Sequence, residues 1–273
     1  MINTIIQMFS YNFILRALIV GVLISLCSSL LGVTLVLKRY SMIGDGLSHV
    51  GFGALAVATA LGMSPLAVTV PVVVIAAFFL LRLNETAKIK GDAAIAMIST
   101  GALAFGVITV SVSTGLNSDL YSYLFGSILA MSKNDVYFSI VLSVIVLSVY
   151  ILFYNKIFAV TFDEAFAKAT GVSVNMFNSL IAVLTAVTVV LGMRMMGSML
   201  ISALIIFPSL TSMRIFKTFK SVAVSSACLS VVCFAIGMYI SFVYNLPTGA
   251  SIVAVNIIMF IIYSAVSKIK TRL

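Results

Sequence analysis

Continuous apolar runs long enough to cross a bilayer dominate the chain. Nine can be delimited, at 13–37, 44–62, 65–83, 92–115, 134–154, 174–193, 196–213, 219–243 and 249–267. A spanning helix takes about 20 apolar residues, and backbone groups in lipid must be satisfied within the segment unless a barrel closes. Barrel strands alternate polar and apolar residues over about 10 positions, whereas these runs are unbroken and about twice that long. The pattern predicts an all-α polytopic membrane protein of eight to nine transmembrane helices, a single domain over residues 1–273. With 8% charged residues, against roughly 25% in an average soluble domain, the chain could not cover a water-facing surface.

The first run is followed by Lys38 and Arg39. A secretory signal has a basic start, a shorter apolar core and a small-residue cleavage site, so this run reads as a retained span. The net charge of +9 does not point to nucleic acid, because the basic residues sit at the ends of apolar runs. With the N-terminus outside and all nine runs crossing, 13 of the 16 Lys and Arg residues fall on inside loops and the C-terminus. Only Arg16, Lys133 and Arg194 fall on or near the other face, which is the bias expected of a cytoplasmic side. Cys27, Cys228 and Cys233 lie within apolar runs and read as small packing residues, not as a disulfide framework.

Two loops are more than connectors. The outside stretch 115–133 carries Tyr121, Tyr123, Leu124, Phe125, Ile128 and Leu129, the pattern of a short interfacial helix. The inside stretch 161–172, TFDEAFAKATGV, reads as a short capped helix. Asp163 and Glu164 occupy its first turn, Lys168 follows Glu164 at i+4, and Gly171 stops it. It is either a linker or a surface that receives force from a soluble motor.

Of the seven acidic residues, six lie in loops or at the ends of runs; Asp45 is the exception, at or just inside the start of the second run. His49, the single histidine, follows at i+4 and so shares its helical face. An ionisable residue inside a membrane segment costs a few kcal/mol and marks a pathway by default. Imidazole suits zinc and its neighbours, while carboxylate suits manganese as well. The bland alternative is a hydrogen-bonded pair or a helix cap. Gly44, Gly46, Ser48, Gly51, Gly53 and Ala54 around the pair are small, as in close helix packing. No GxxxxGK[ST] loop and no HExxH are present, so the chain neither hydrolyses nucleotide nor carries the common zinc-protease arrangement.

Five segments resemble the ABC-3 type permeases of bacterial zinc, manganese and iron importers: LGVTLVLKRYSMIGDGLSHVGFGALA (31–56), YLFGSILAMSKNDV (123–136), TFDEAFAKATGV (161–172), MRMMGSMLISALIIFPSLTSMRI (193–215) and NLPTGASIVAVN (245–256). The resemblance implies a type II-like importer permease in a bacterial cell membrane. Its implied partners are a second copy of itself, a cytoplasmic ATP-binding cassette ATPase dimer and an extracellular metal-binding lipoprotein. The chain itself would be non-catalytic, with no permanently bound cofactor and a divalent ion, zinc or manganese, as cargo. Asp45 and His49 match the polar pair of the translocation route. The 161–172 helix becomes the coupling helix, with Phe162, Asp163, Glu164, Ala167 and Gly171 facing the ATPase, and Pro208 should kink its helix. The sequence departs from the family in having no Glu or His over 219–243 and Asn245 where Asp is frequent. Cys228 and Cys233, at i and i+5, point about 140° apart on a helix and form no ready chelating pair. An ion-coupled secondary metal transporter and an intramembrane enzyme using His49 are the competing readings; one intramembrane carboxylate is a poor endowment for the first, and the second lacks partner residues.

Overall fold

The computed structural model describes residues 10–86, 91–113 and 133–272. Among these the chain forms helices and no strand. They are α1 (Asn12–Leu37), α2 (Ser41–Ala60), α3 (Pro65–Thr86), α4 (Gly91–Val112), α5 (Lys133–Leu152) and α6 (Tyr154–Phe162), then α7 (Glu164–Ala169), α8 (Val174–Met196), α9 (Ser198–Met213), α10 (Phe219–Tyr244) and α11 (Thr248–Arg272). Most of the described residues of each apolar run lie on one of these helices, and the run 134–154 reaches the first residue of α6.

The expected eight to nine spans are not supported. Among the described residues, six helices are long and apolar enough to cross a membrane, corresponding to α1, α4, α5, α8, α10 and α11. Asp45, His49 and several glycines dilute α2, and the apolar parts Pro65–Leu81 and Leu200–Met213 are shorter. Residues 154–160, expected in part as a connector, are helical. Phe162 closes that helix, so the 161–172 stretch divides between α6 and α7. The expected interfacial helix over 115–133 lies outside the described residues, except that Lys133 opens α5.

α1 and α8 form the spine: 67% and 78% of their apolar windows are buried, against 28% for α4, α5 and α11. α1 packs against α5, α8, α9 and α10. Without a hydrophobic driving force between helices in lipid, small residues and hydroxyls supply the contact. Gly32 of α1 meets the Ile205 carbonyl of α9 with no room for a Cβ, and a Cβ on Gly53 of α2 would stand 2.7 Å from the Ala102 carbonyl of α4. Ser230 Oγ donates to the Ser25 carbonyl at 3.0 Å, and Ser209 Oγ to the Ser29 carbonyl at 3.3 Å.

The helix ends sort into two levels. At one, Lys38 reaches Glu164 and Asn178, Lys156 lies over the Phe177 ring, and Phe219 stacks among Phe158 and Phe162. At the other, Arg194 pairs with Asp135 at 3.2 Å and Tyr11 stacks on Phe242. Gly197, at φ 90° and ψ 154°, separates α8 from α9 there. That conformation is open to glycine almost alone, so one residue reverses the chain.

Candidate functional site

Asp45 and His49 meet on one face of α2 as their spacing requires. His49 Nε2 lies 3.6 Å from Asp45 Oδ2, and their side chains are 13% and 35% accessible, respectively. That separation is too long for a hydrogen bond. It is close to the edge, roughly 3.3 Å, of a tetrahedron built on metal–ligand bonds of about 2.0–2.1 Å. His49 Nδ1 is buried and has no hydrogen-bond partner. A buried polar atom left unpaired is costly; a cation on Nε2 would fix the tautomer with the proton on Nδ1, and that N–H would still lack an acceptor.

The third member of the face is Ser202 of α9, whose Oγ donates to Asp45 Oδ1 at 3.2 Å. Sequence reasoning did not find it. Its hydroxyl is 157 residues away, and a serine in an apolar run carries no signal of its own. Ser48 donates instead to the Asp45 carbonyl at 2.8 Å, inside α2. Gly44 approaches Ile205, and a Cβ on Gly51 would sit 3.1 Å from Met193 Sδ. Asp45 therefore stands level with the first half of α9, and the α2 face looks toward the α8–α9 reversal. Among the described residues no group of three or more His, Cys, Asp and Glu could hold a metal. A cation here would be held by two charged or imidazole ligands, completed by hydroxyl, backbone or water oxygens. Such a site binds without trapping, as conduction demands.

Of the 161–172 segment, α7 is capped as expected. Asp163 accepts from the Phe166 N–H at 2.9 Å, and Gly171 ends the helix at φ 82° while Val172 N–H reaches back to the Ala167 carbonyl. The Glu164–Lys168 pairing is replaced: Glu164 Oε1 takes Lys38 Nζ at 2.6 Å and Asn178 Nδ2 at 3.2 Å. Burial alone would raise the Glu164 carboxyl, but the hydrogen bonds from Lys38 and Asn178 and the ammonium charge outweigh it and hold it below its usual value. Phe162, Asp163, Glu164 and Gly171 are exposed, whereas Ala167 is fully buried and anchors α7 to the body. Pro208 is buried within α9, which runs on to Met213; its ring denies Leu204 the usual backbone donor.

The manganese transport system membrane protein MntC of Listeria monocytogenes is 29% identical over 252 residues, covering 92% of this chain and 90% of that protein. The high-affinity zinc uptake system membrane protein ZnuB of Haemophilus influenzae is 27% identical, covering 92% and 97%. The solved structure of PsaBC from Streptococcus pneumoniae in complex with Fab superimposes with a TM-score of 0.87 at 28% identity, covering 96% of this chain and 95% of that one. The model of the ABC 3 transport family matches residues 10–267. With nearly the whole bundle inside that match, the chain belongs to the ABC 3 transport family.

Proposed function

We propose that this chain is the membrane-spanning permease subunit of an ATP-driven importer of a divalent transition-metal ion, zinc or manganese. The observation that carries the reading is the α2 face. The His49 Nε2 atom and an Asp45 carboxylate oxygen stand 3.6 Å apart on one helix face within an apolar bundle. The relatives named for manganese and zinc transport support the class of cargo. Asp45 and His49 are the cargo ligands, and Ser202 orients the carboxylate. Pro208 is the kink of α9, which its buried place inside that helix supports.

The partners follow from the same reading: a second copy of the chain, a cytoplasmic ATP-binding cassette ATPase dimer, and an extracellular metal-binding lipoprotein. Exposed Phe162, Asp163, Glu164 and Gly171 on and beside α7 support an ATPase-docking role. The N-terminus faces outside and the C-terminus the cytoplasm, in keeping with the loop charges.

The test is uptake of Zn²⁺, Mn²⁺ and Fe²⁺, alone and in competition, by the reconstituted complex with ATP supplied at the α7 face. Asp45→Asn and His49→Ala are each expected to abolish uptake while membrane expression and ATPase docking persist. Wild-type uptake in both variants would reduce the pair to packing. Uptake by the chain alone under a proton gradient would overturn the importer reading.

A further inference from the structure

Lys38 carries a buried charge that cargo binding does not use. Its side chain is 5% accessible, and its ammonium lies 2.6 Å from Glu164 Oε1 and 2.6 Å from Asn178 Oδ1. Asn178 Nδ2 closes the triangle on Glu164 Oε1 at 3.2 Å. The three residues belong to three elements: Lys38 ends α1, Glu164 opens α7, and Asn178 lies near the start of α8. A buried lysine persists only where its charge is paired and its donors are satisfied. Displacing any corner of this triangle therefore pulls on the other two.

The triangle is wired to the cargo face by a rigid turn. Arg39 N–H donates to the Val36 carbonyl at 3.1 Å, and Tyr40 N–H to the Leu35 carbonyl at 2.8 Å. This is a Schellman closure with Arg39 at φ 61°. A left-handed conformation in a non-glycine residue persists only when its surroundings impose it. Here the hydrogen bonds and the Lys38 ammonium 5.8 Å over the Tyr40 ring hold it. Only Arg39 and Tyr40 separate Lys38 from α2, and Asp45 is the fifth residue of that helix. The turn has no slack with which to absorb a shift of Lys38.

We propose that Lys38 is a positioning residue that transmits the position of α7 to the Asp45–His49 face, through its paired contacts with Glu164 and Asn178. Resting on the importer reading, with α7 as the ATPase-docking helix, this makes the triangle the link between the motor and the cargo site. Glu164 suits that place because its side chain is 51% accessible; it touches Lys38 within the body and is reachable from outside.

Two variants test the link in the reconstituted complex of the full chain, its ATPase and its delivery lipoprotein. Lys38→Met keeps the apolar stem and removes the charge. Asn178→Asp leaves the ammonium a carboxylate but withdraws the amide donor from Glu164 and sets a like charge beside it, which loosens α7. The readouts are metal ions moved per ATP hydrolysed, basal ATPase rate, and the affinity of the chain for Mn²⁺ without ATP. Both variants are expected to lower the ions moved per ATP about tenfold, the loss that about 1.4 kcal/mol on the coupled step gives, with basal ATPase and Mn²⁺ affinity near wild type. Wild-type coupling in Asn178→Asp would show that Lys38 needs only a counter-charge, and would overturn the proposal. Should Lys38→Met fail to reach the membrane, Asn178→Asp decides alone. Absence of ATP-driven uptake in the wild type would overturn the importer reading and the link with it, and is recognised by appearing without any substitution.

Discussion

The Asp45 carboxylate has one neighbour on its own helix and one far along the chain, and the two were unequally visible. His49 is legible because i and i+4 share a face whatever the fold does. Ser202 is not, because its role depends on α9 crossing α2 at one height. A hydrogen bond to a charged group contributes about 1.5–3 kcal/mol, and the partial exposure of Asp45 puts this one at the low end. Ser202→Ala is therefore expected to raise the metal concentration for half-maximal uptake about tenfold, each 1.4 kcal/mol being a factor of ten, while the maximal rate changes little. Titration of uptake against Mn²⁺ and Zn²⁺ checks it. An unchanged half-saturation would make Ser202 a packing residue.

Among the elements, α7 shows what local reasoning reaches. Its cap at Asp163 and its stop at Gly171 are written in adjacent residues and stand as read. The partner of Glu164 is not, since exposed i,i+4 pairs contribute only about 0.3–0.5 kcal/mol and a buried ammonium from α1 displaces Lys168 easily. The Glu164 carboxyl is held below its usual value, burial being outweighed by the Lys38 and Asn178 hydrogen bonds and the ammonium charge. A carboxylate depressed by folding stabilises fully above its unfolded value, and that stabilisation is lost as pH falls through the folded one. The α7 latch should therefore hold at neutral and mildly acidic pH and loosen only below the ordinary glutamate range, about 4.3. Nitroxide mobility at a cysteine replacing exposed Ala165, read against pH, measures this. Loosening already at roughly pH 6 to 7, the histidine range, would assign the effect to another group.

In the whole bundle, lengths of apolar sequence identified the helices well and their packing poorly. Continuous runs state that a segment is helical, because lipid leaves no other choice. They do not state that α2 and α4 approach through Gly53 and Ala102, or that α1 becomes a spine through Gly32, Ser25 and Ser29. The count of eight to nine spans lacks support for a related reason. α2 is marginal on hydropathy because Asp45, His49 and its serines make it polar, and its place in the bundle comes from its neighbours.

The distance in sequence between Asp45 and Ser202 has a consequence for how the protein is made. Ser202 follows Asp45 by 157 residues, and at about 5–20 residues per second of synthesis it emerges roughly 8 to 30 s later. A carboxylate in an inserting helix costs at most about 2.5–3.5 kcal/mol, the value for the centre, and less near a helix start such as that of Asp45; through that interval α2 has no α9 to lean on. His49, already 3.6 Å from the carboxylate on the same helix, is a polar companion on that face from the moment the turn forms. In a chain cut after α4, His49→Leu is accordingly expected to lower α2 insertion in a glycosylation-mapping assay, despite replacing a polar residue with an apolar one. More efficient insertion would show that the histidine gives the nascent helix no help. On this view the two residues proposed as cargo ligands first serve as each other's passage into the lipid.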